Sequence, residues 1–220
     1  MSNVLVYELD GKMYINLTNK CTNDCIFCLR KDKSDVKGQE LWLENEDFTA
    51  KDVIAQLNDL ICKKDEDLSY YNLNDLSASK EIIFCGYGEP MLKLDILKDV
   101  AKYIKKKYPN TKIRVNTNGH ANYVYNRNVV PELKGIIDEF SVSLNGENSA
   151  EYDELSQPIF KDAYEEVKKF IKACSQEGID VVASVVEGYK GRHINLKECE
   201  KTAALLGAKF RVREWIPAGY

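Results

Sequence analysis

From Glu81 onward the chain repeats one pattern, a short β-rich run followed by a helical stretch and then another β-rich run. The runs are EIIFC at 81–85, KIRVNT at 112–117, EFSVSL at 139–144, IDVVASVV at 179–186 and KFRVR at 209–213. Residues 94–107, 129–135, 162–177 and 196–206 carry the helical patterning, with Pro131 opening the second stretch and Gly178 and Gly207 closing the last two. Parallel strands need a crossover of a dozen or more residues, so this alternation predicts a parallel sheet with right-handed connections. A further strand at 13–17, preceded by VLVYEL and an Asp10-Gly11 turn, predicts a hairpin at the front. Six strands, counted from 13–17, are too few for an eight-stranded barrel. The options are a curved, incomplete barrel and a flat doubly wound sheet, and both place a site at the carboxyl ends of the strands.

No repeat, low-complexity tract or linker interrupts the sequence, so residues 1–220 are read as one α/β domain. Its N-terminal hairpin spans about 4–17; residues 31–47 are charged and irregular, 48–64 helical, and 65–80 a polar loop. The stretch 31–80 is a candidate lid. Apolar residues at 44%, charged residues at 30% and a formal charge of −4 suit a soluble globular protein and disfavour general binding to nucleic acid or anionic membrane. MSNVLVYELDG lacks the features of a signal peptide, and no apolar run approaches the ~18 residues of a membrane span, so a cytoplasmic location is expected. In that compartment seven cysteines, an odd number, read as thiols and metal ligands rather than disulfides. Cys62, Cys85, Cys174 and Cys199 stand alone and are expected to be packing residues, although Cys85 precedes a glycine at a strand end and can face a site.

The other three are grouped. CTNDCIFC places Cys21, Cys25 and Cys28 just after the first strand, at the functional end of the sheet. Thiolates suit zinc and iron–sulfur clusters. Structural zinc takes four ligands, and here the fourth would have to come from His120, His193 or an isolated cysteine. Three cysteines on a [4Fe–4S] cluster leave one iron open, and an open coordination position argues for chemistry rather than scaffolding.

The spacing resembles the C-x3-C-x-aromatic-C signature of the radical S-adenosylmethionine (SAM) enzymes, as does its place after the first strand of a partial (βα)6 barrel. The resemblance implies a [4Fe–4S] cluster on Cys21, Cys25 and Cys28 whose fourth iron is chelated by the amino and carboxylate groups of SAM. It implies that the reduced cluster cleaves the sulfonium to methionine and a 5′-deoxyadenosyl radical, which abstracts hydrogen from a substrate in an oxidoreductase or lyase reaction. Phe27 then flanks the nucleoside.

Three further motifs extend the resemblance. GYGEP at 86–90 reads plainly as a glycine turn between strand and helix; it is also similar to the family's Gly-Gly-Glu-Pro motif, with Tyr87 in place of the second residue. On that likeness Gly86, Tyr87, Gly88 and Glu89 bind the SAM ammonium, through close backbone approach and the Glu89 carboxylate. NTNGH at 116–120 is by itself an Asn-Gly turn, and it resembles the family's Thr-Asn-Gly run, which makes Asn118 a cofactor contact. His120 is a candidate for the same site or for a helix cap. In EFSVSLNG, period-two alternation puts Ser141, Ser143 and Asn145 on one face. The resemblance assigns Ser143 and Asn145 to the SAM ribose; the plain reading is strand termination. Val185 and Val186 can pack on adenine or belong to the core, and Arg213, beside Arg211 and Glu214, can bind a carboxylate or phosphate or form a salt bridge.

Cleavage of this kind needs an electron at low potential, in a range whose floor for iron–sulfur clusters is roughly −700 mV, so the resemblance implies a flavodoxin or ferredoxin-type donor. Arg30, Lys31, Lys33 and Lys37 form a basic run that can dock it, or simply a solvated loop. The wider pattern, NLTNKCTNDCIFCLR with FCGYGEP, RVNTNGH and VSLNG, is most similar to small radical SAM proteins named for their association with TatD-type metal-dependent hydrolases. That group implies a possible TatD-type partner and supplies no established substrate. With the sequence ending at Tyr220, no auxiliary-cluster domain is expected after the barrel. Carboxydeazaguanine synthases and glycyl-radical activases are the nearest alternatives among enzymes, and a non-catalytic iron–sulfur sensing or binding module is the alternative of another class.

Overall fold

The computed structural model describes residues 3–65 and 81–216. Residues 66–80, which hold most of the polar loop and part of the candidate lid, lie outside the described residues, as does the side chain of Cys62. The described parts of the chain divide into two compact units interleaved in sequence: Met1–Lys20, Ser34–Val115 and Gly135–Asp138 in the first, and Cys21–Lys33, Asn116–Lys134 and Glu139–Tyr220 in the second.

In the first unit β1 (Val6–Leu9) and β2 (Lys12–Ile15) form the expected hairpin, with Val6 opposite Ile15 and Leu9 opposite Lys12. Asp10 and Gly11 turn it with φ of 48° and 73°, the pair of positive angles that a two-residue type I′ loop demands. A second, very short hairpin follows, β3 (Asp35–Val36) and β4 (Gln39–Glu40), inside the stretch expected to be irregular. Its turn residues Lys37 and Gly38 also have positive φ, and the Asp35 carboxylate accepts the Gly38 N–H at 2.7 Å. Side-chain turn chemistry, rather than an alternating apolar pattern, makes this hairpin.

Helix α1 (Ala50–Asp65), strand β5 (Glu81–Phe84), helix α2 (Leu94–Lys107) and strand β6 (Lys112–Thr117) complete the unit, apart from the last two residues of β6. β2, β5 and β6 run parallel in that order, with β1 outside β2. α2 buries Leu94, Leu97, Val100, Ala101 and Ile104, a stripe at helical spacing, and ends in Lys105–Lys107, where positive charge suits the carboxyl end of the helix dipole. Each fully buried Leu or Ile of this kind contributes roughly 1.5–3 kcal/mol.

The second unit contains α3 (Ala121–Val124), β7 (Glu139–Ser143), α4 (Ser149–Ser156), α5 (Ala163–Glu177), β8 (Asp180–Glu187), α6 (Leu196–Leu205) and β9 (Lys209–Glu214). β7, β8 and β9 are parallel in that order. Their register sets Ser141 beside Val182, Ser143 beside Ser184, Ser184 beside Arg211 and Val186 beside Arg213. These side chains therefore share one face, while Val142, Ala183 and Val185 occupy the other and are fully buried. α5 packs on β7 and β8 with Val167, Phe170 and Ile171 buried, and Gly178 ends it in the left-handed region at φ 75°.

Besides the short α3, which the sequence reading did not include, two differences concern helices. The helix expected at 129–135 is only a 3-10 turn, Val130–Leu133, because Lys134 is already extended at ψ 129° and nothing continues it. α4 was not foreseen, since SAEYDELS is short and shows little amphipathic pattern. No helix of the described residues is long and apolar enough to cross a membrane.

Candidate active site

The cysteine loop takes its shape from the carboxyl end of α4. The last carbonyls of a helix lack intrahelical partners. Here loop N–H groups fill them: Asp24 donates to the Ser156 and Gln157 carbonyls at 3.1 Å each, and Ile26 donates to Leu155 at 3.0 Å. Ile159 N–H returns a bond to the Thr22 carbonyl at 3.0 Å, and Asn23 forms a β-bridge with Pro158. Gln157 adopts the left-handed conformation that ends the helix and frees those groups. Cys28 N–H closes a turn on the Cys25 carbonyl at 3.1 Å, and a 3-10 turn, Leu29–Lys31, leads away.

Cys21, Cys25 and Cys28 are free thiols, each partly exposed. Cys21 sulfur receives the Asn23 backbone N–H at 3.4 Å and the Asn118 amide at 3.6 Å. The Cys25 thiol is pushed up to about 12, first by burial and then by Cys28 and Cys21; a hydrogen bond with Ser156 acts the other way. Three thiolates this close repel one another, so ionising them together needs cationic metal, and metal uptake releases protons. Among the described residues no three His, Cys, Asp or Glu side chains are grouped to hold a single metal ion. A [4Fe–4S] cluster asks for something different, one thiolate for each of several irons, and three soft sulfur donors on one loop fit that demand.

A cavity of about 240 Å³ opens beside the loop, lined by Cys25, Phe27, Cys28, Val186, Arg213 and Trp215 among others. Phe27 meets the Tyr189 ring edge-on at 6.1 Å, and Tyr189 meets Trp215 at 5.0 Å, so aromatic rings form much of one wall. The register explains which valine is present: Val186 lies on the Arg213 face, whereas Val185, expected as the adenine contact, is buried on the opposite face. Ser141, on the inner face, accepts an Arg211 guanidinium N–H at 2.5 Å. Ser143 is half-buried on that same face. Asn145 is almost fully buried at φ 55°; its amide donates to Ser156 Oγ at 3.1 Å, and its Oδ1 has no partner among the described residues.

His120 lies beneath the loop, 1% exposed, rather than on the cavity wall. It occupies the position before α3, but its side chain makes no capping bond. Its ring nitrogens contact Thr22 Oγ1 at 2.8 Å and the Tyr152 hydroxyl at 2.9 Å, and burial lowers its pKa to about 4. Thr22, Tyr152 and Ser156 were absent from the sequence-based site. The signal that would have found the last two is Asn148 with Glu151 three residues on, a helix-start pair: Asn148 Oδ1 accepts the Glu151 N–H at 3.0 Å, and the Glu151 carboxylate accepts the Glu147 N–H at 2.8 Å.

In the first unit the glycines of GYGEP admit a close approach of residues 16–20, Gly88 against backbone and Gly86 against the Asn16 side chain. A Cβ on Gly88 would lie 2.2 Å from the Thr18 carbonyl oxygen and 2.5 Å from that of Lys20, and one on Gly86 would lie 2.0 Å from Asn16 Oδ1. Glu89 N–H donates to the Lys20 carbonyl at 2.8 Å, which ties this turn to the segment entering the cysteine loop. The Glu89 carboxylate is buried and accepts the Met91 N–H at 3.0 Å, so it caps the 3-10 turn Pro90–Lys93. Tyr87 is buried, with Trp42 edge-on at 5.3 Å. Cys85 is partly exposed, while Cys174 and Cys199 are buried as packing residues.

Parallel strands joined by helical crossovers define a βα protein, and three soft sulfur donors grouped on one loop suit an iron–sulfur centre. The radical SAM superfamily model matches residues 15–206, and the chain belongs to that superfamily. Members are enzymes whose cofactors are a [4Fe–4S] cluster and SAM, and Cys21, Cys25 and Cys28 carry the corresponding spacing here. Among solved structures, Streptococcus suis SuiB bound to S-adenosylmethionine aligns at a TM-score of 0.59 and 18% identity over 92% of this chain and 38% of its own. Native anSMEcpe with bound AdoMet gives 0.57 and 13% over 92% and 50%, and the FeFe-hydrogenase maturase HydG from Carboxydothermus hydrogenoformans gives 0.58 and 18% over 93% and 44%. These similarities establish the fold, a partial (βα)6 barrel of the radical SAM type. The chain spans half or less of the length of those structures. No curated protein sequence matches it.

Proposed function

We propose that this chain reductively cleaves SAM and uses the product to take a hydrogen atom from a second, organic substrate. The observation that carries the reading is the three-thiol loop opening onto an apolar, aromatic-walled cavity of about 240 Å³. When bound, the cluster supplies one low-potential electron and SAM supplies the sulfonium that accepts it. Cys21, Cys25 and Cys28 hold the iron. Phe27, Val186 and Trp215 cover the nucleoside and keep water from it, since a water-exposed radical reacts with whatever is near. Ser143 and Asn145 offer hydrogen-bonding groups to the ribose, and on the motif resemblance Gly86, Tyr87, Gly88 and Glu89 take the ammonium; Asn118, its amide and oxygen committed to Thr22, Cys21 and the His120 N–H, acts on the cofactor through the cysteine loop. Arg213 presents a guanidinium to a carboxylate or phosphate. His120, being buried and committed to two hydroxyls, supports the loop rather than touching substrate.

The electron comes from a flavodoxin or ferredoxin-type donor in the cytoplasm, and a TatD-type hydrolase is the partner that the motif resemblance suggests. The basic run is partly neutralised from within: Lys31 pairs with Asp24 at 3.0 Å, Arg30 approaches the same carboxylate at 3.8 Å, and Lys37 pairs with Asp10 at 2.5 Å. Docking through it is therefore weak and salt-sensitive.

Anaerobic reconstitution followed by incubation with SAM and dithionite tests the proposal. Formation of 5′-deoxyadenosine supports it; a brown protein that binds the cluster yet never cleaves SAM would favour a redox-sensing module instead. A colourless protein with one zinc per chain would sink both.

A further inference from the structure

Beneath the cysteine loop runs a buried chain of polar side chains. Asn118 Oδ1 accepts the backbone N–H of His120 at 3.1 Å, which identifies the other amide atom as the donor. That amide contacts Thr22 Oγ1 at 2.7 Å and Cys21 sulfur at 3.6 Å. Thr22 Oγ1 meets His120 Nδ1 at 2.8 Å, His120 Nε2 meets the Tyr152 hydroxyl at 2.9 Å, and the Asn23 amide donates to that hydroxyl at 3.1 Å. A neutral imidazole has one donor and one acceptor nitrogen, and each faces a hydroxyl able to take the other role. Both ring nitrogens are satisfied without a charge, which agrees with burial lowering the ring's pKa to about 4. Tyr152 in turn is fixed on α4, whose carboxyl end holds Asp24 and Ile26.

We propose that His120 and Tyr152 are positioning residues that lock Thr22 and Asn23, so that the Asn118 amide and the Asn23 N–H stay aimed at the Cys21 sulfur and raise the reduction potential of a cluster bound there. The inference rests on the cluster reading given above. Its physical basis is that reduction adds negative charge to cluster and ligands, and N–H donors to sulfur stabilise the more negative state. A buried strut that is neutral but fully hydrogen-bonded holds those donors without placing a cation under the loop, which would change the potential on its own account.

The test uses the full-length chain reconstituted anaerobically without SAM, with iron and sulfide counted per chain and the reduced cluster titrated by electron paramagnetic resonance. His120→Phe, Tyr152→Phe and Thr22→Val are expected to retain iron but to show an about tenfold lower ratio of reduced to oxidised cluster at a fixed potential, a midpoint about 59 mV more negative for one electron. Thr22→Ser, which keeps the hydroxyl, is expected to match wild type. Unchanged midpoints in the folded, iron-replete variants would overturn the proposal, as would a defect in Thr22→Val that Thr22→Ser shares. Should His120→Phe not fold, Tyr152→Phe and Thr22→Val decide, since each removes little more than a hydroxyl. Failure of the wild type itself to take up four irons removes the cluster reading and this proposal together, and is told apart by needing no variant.

Discussion

At the scale of single residues, the described cysteines separate by environment. Cys21, Cys25 and Cys28 are partly exposed on one loop, whereas Cys174 and Cys199 are buried among apolar neighbours. Replacing any of the first three by Ala is expected to abolish stoichiometric iron uptake in anaerobic reconstitution. Cys174→Ala and Cys199→Ala are expected to keep the iron and cost about 1 kcal/mol each in denaturant unfolding, the usual scale for a small buried deletion. His120 gives a pH signature. Its folded pKa, about 4, lies below the 6.5 of an unconstrained ring, so between those values the unfolded chain binds more protons and stability falls as pH drops. From pH 7 to pH 5 this group is expected to remove about 2 kcal/mol from the cluster-free protein. Denaturant midpoints of wild type and His120→Phe at the two pH values measure it; an equal pH slope in both would refute the assignment.

Among the elements, α4 matters most for its length. It spans only Ser149–Ser156, yet it carries Tyr152 and Ser156 and its free carbonyls anchor the cysteine loop. Asn148→Ala removes the side-chain acceptor for the Glu151 N–H and is expected to lower stability by about 1 kcal/mol, seen as a reduced denaturant midpoint. Amide exchange at Asp24 and Ile26 should rise with it, since their acceptors lie at the end of the same short helix. Legibility follows the same division. β5, β6, α2 and α5 were readable because strand patterning, an apolar helical stripe and Gly178 mark them locally. α4 was not, and the 3-10 turn after Asn128 was placed but read as a longer helix, because neither shows a long enough period and tertiary contacts settle both. The cysteines and GYGEP were legible as motifs. The Thr22–His120–Tyr152 contacts were not, because they join residues 98 and 32 positions apart and leave no mark at either end.

For the molecule as a whole, the electron supply is the property that local geometry constrains least. Reversing the charges of Arg30, Lys31, Lys33 and Lys37 together is expected to slow SAM cleavage driven by a flavodoxin several-fold while leaving dithionite-driven cleavage unchanged. Equal slowing of both assays would show that the run supports the loop rather than the donor, a reading that the Lys31–Asp24 pair makes concrete. The pinning of residues 24 and 26 to the end of α4 has one more consequence. Because protein bonds hold residues 24 and 26 of this loop, that part of it has less ordering entropy to lose when metal enters. A chain that loses its inorganic centre is thus expected to keep much of the mould for a replacement, read as amide protection at residues 24 and 26 that is the same before and after reconstitution.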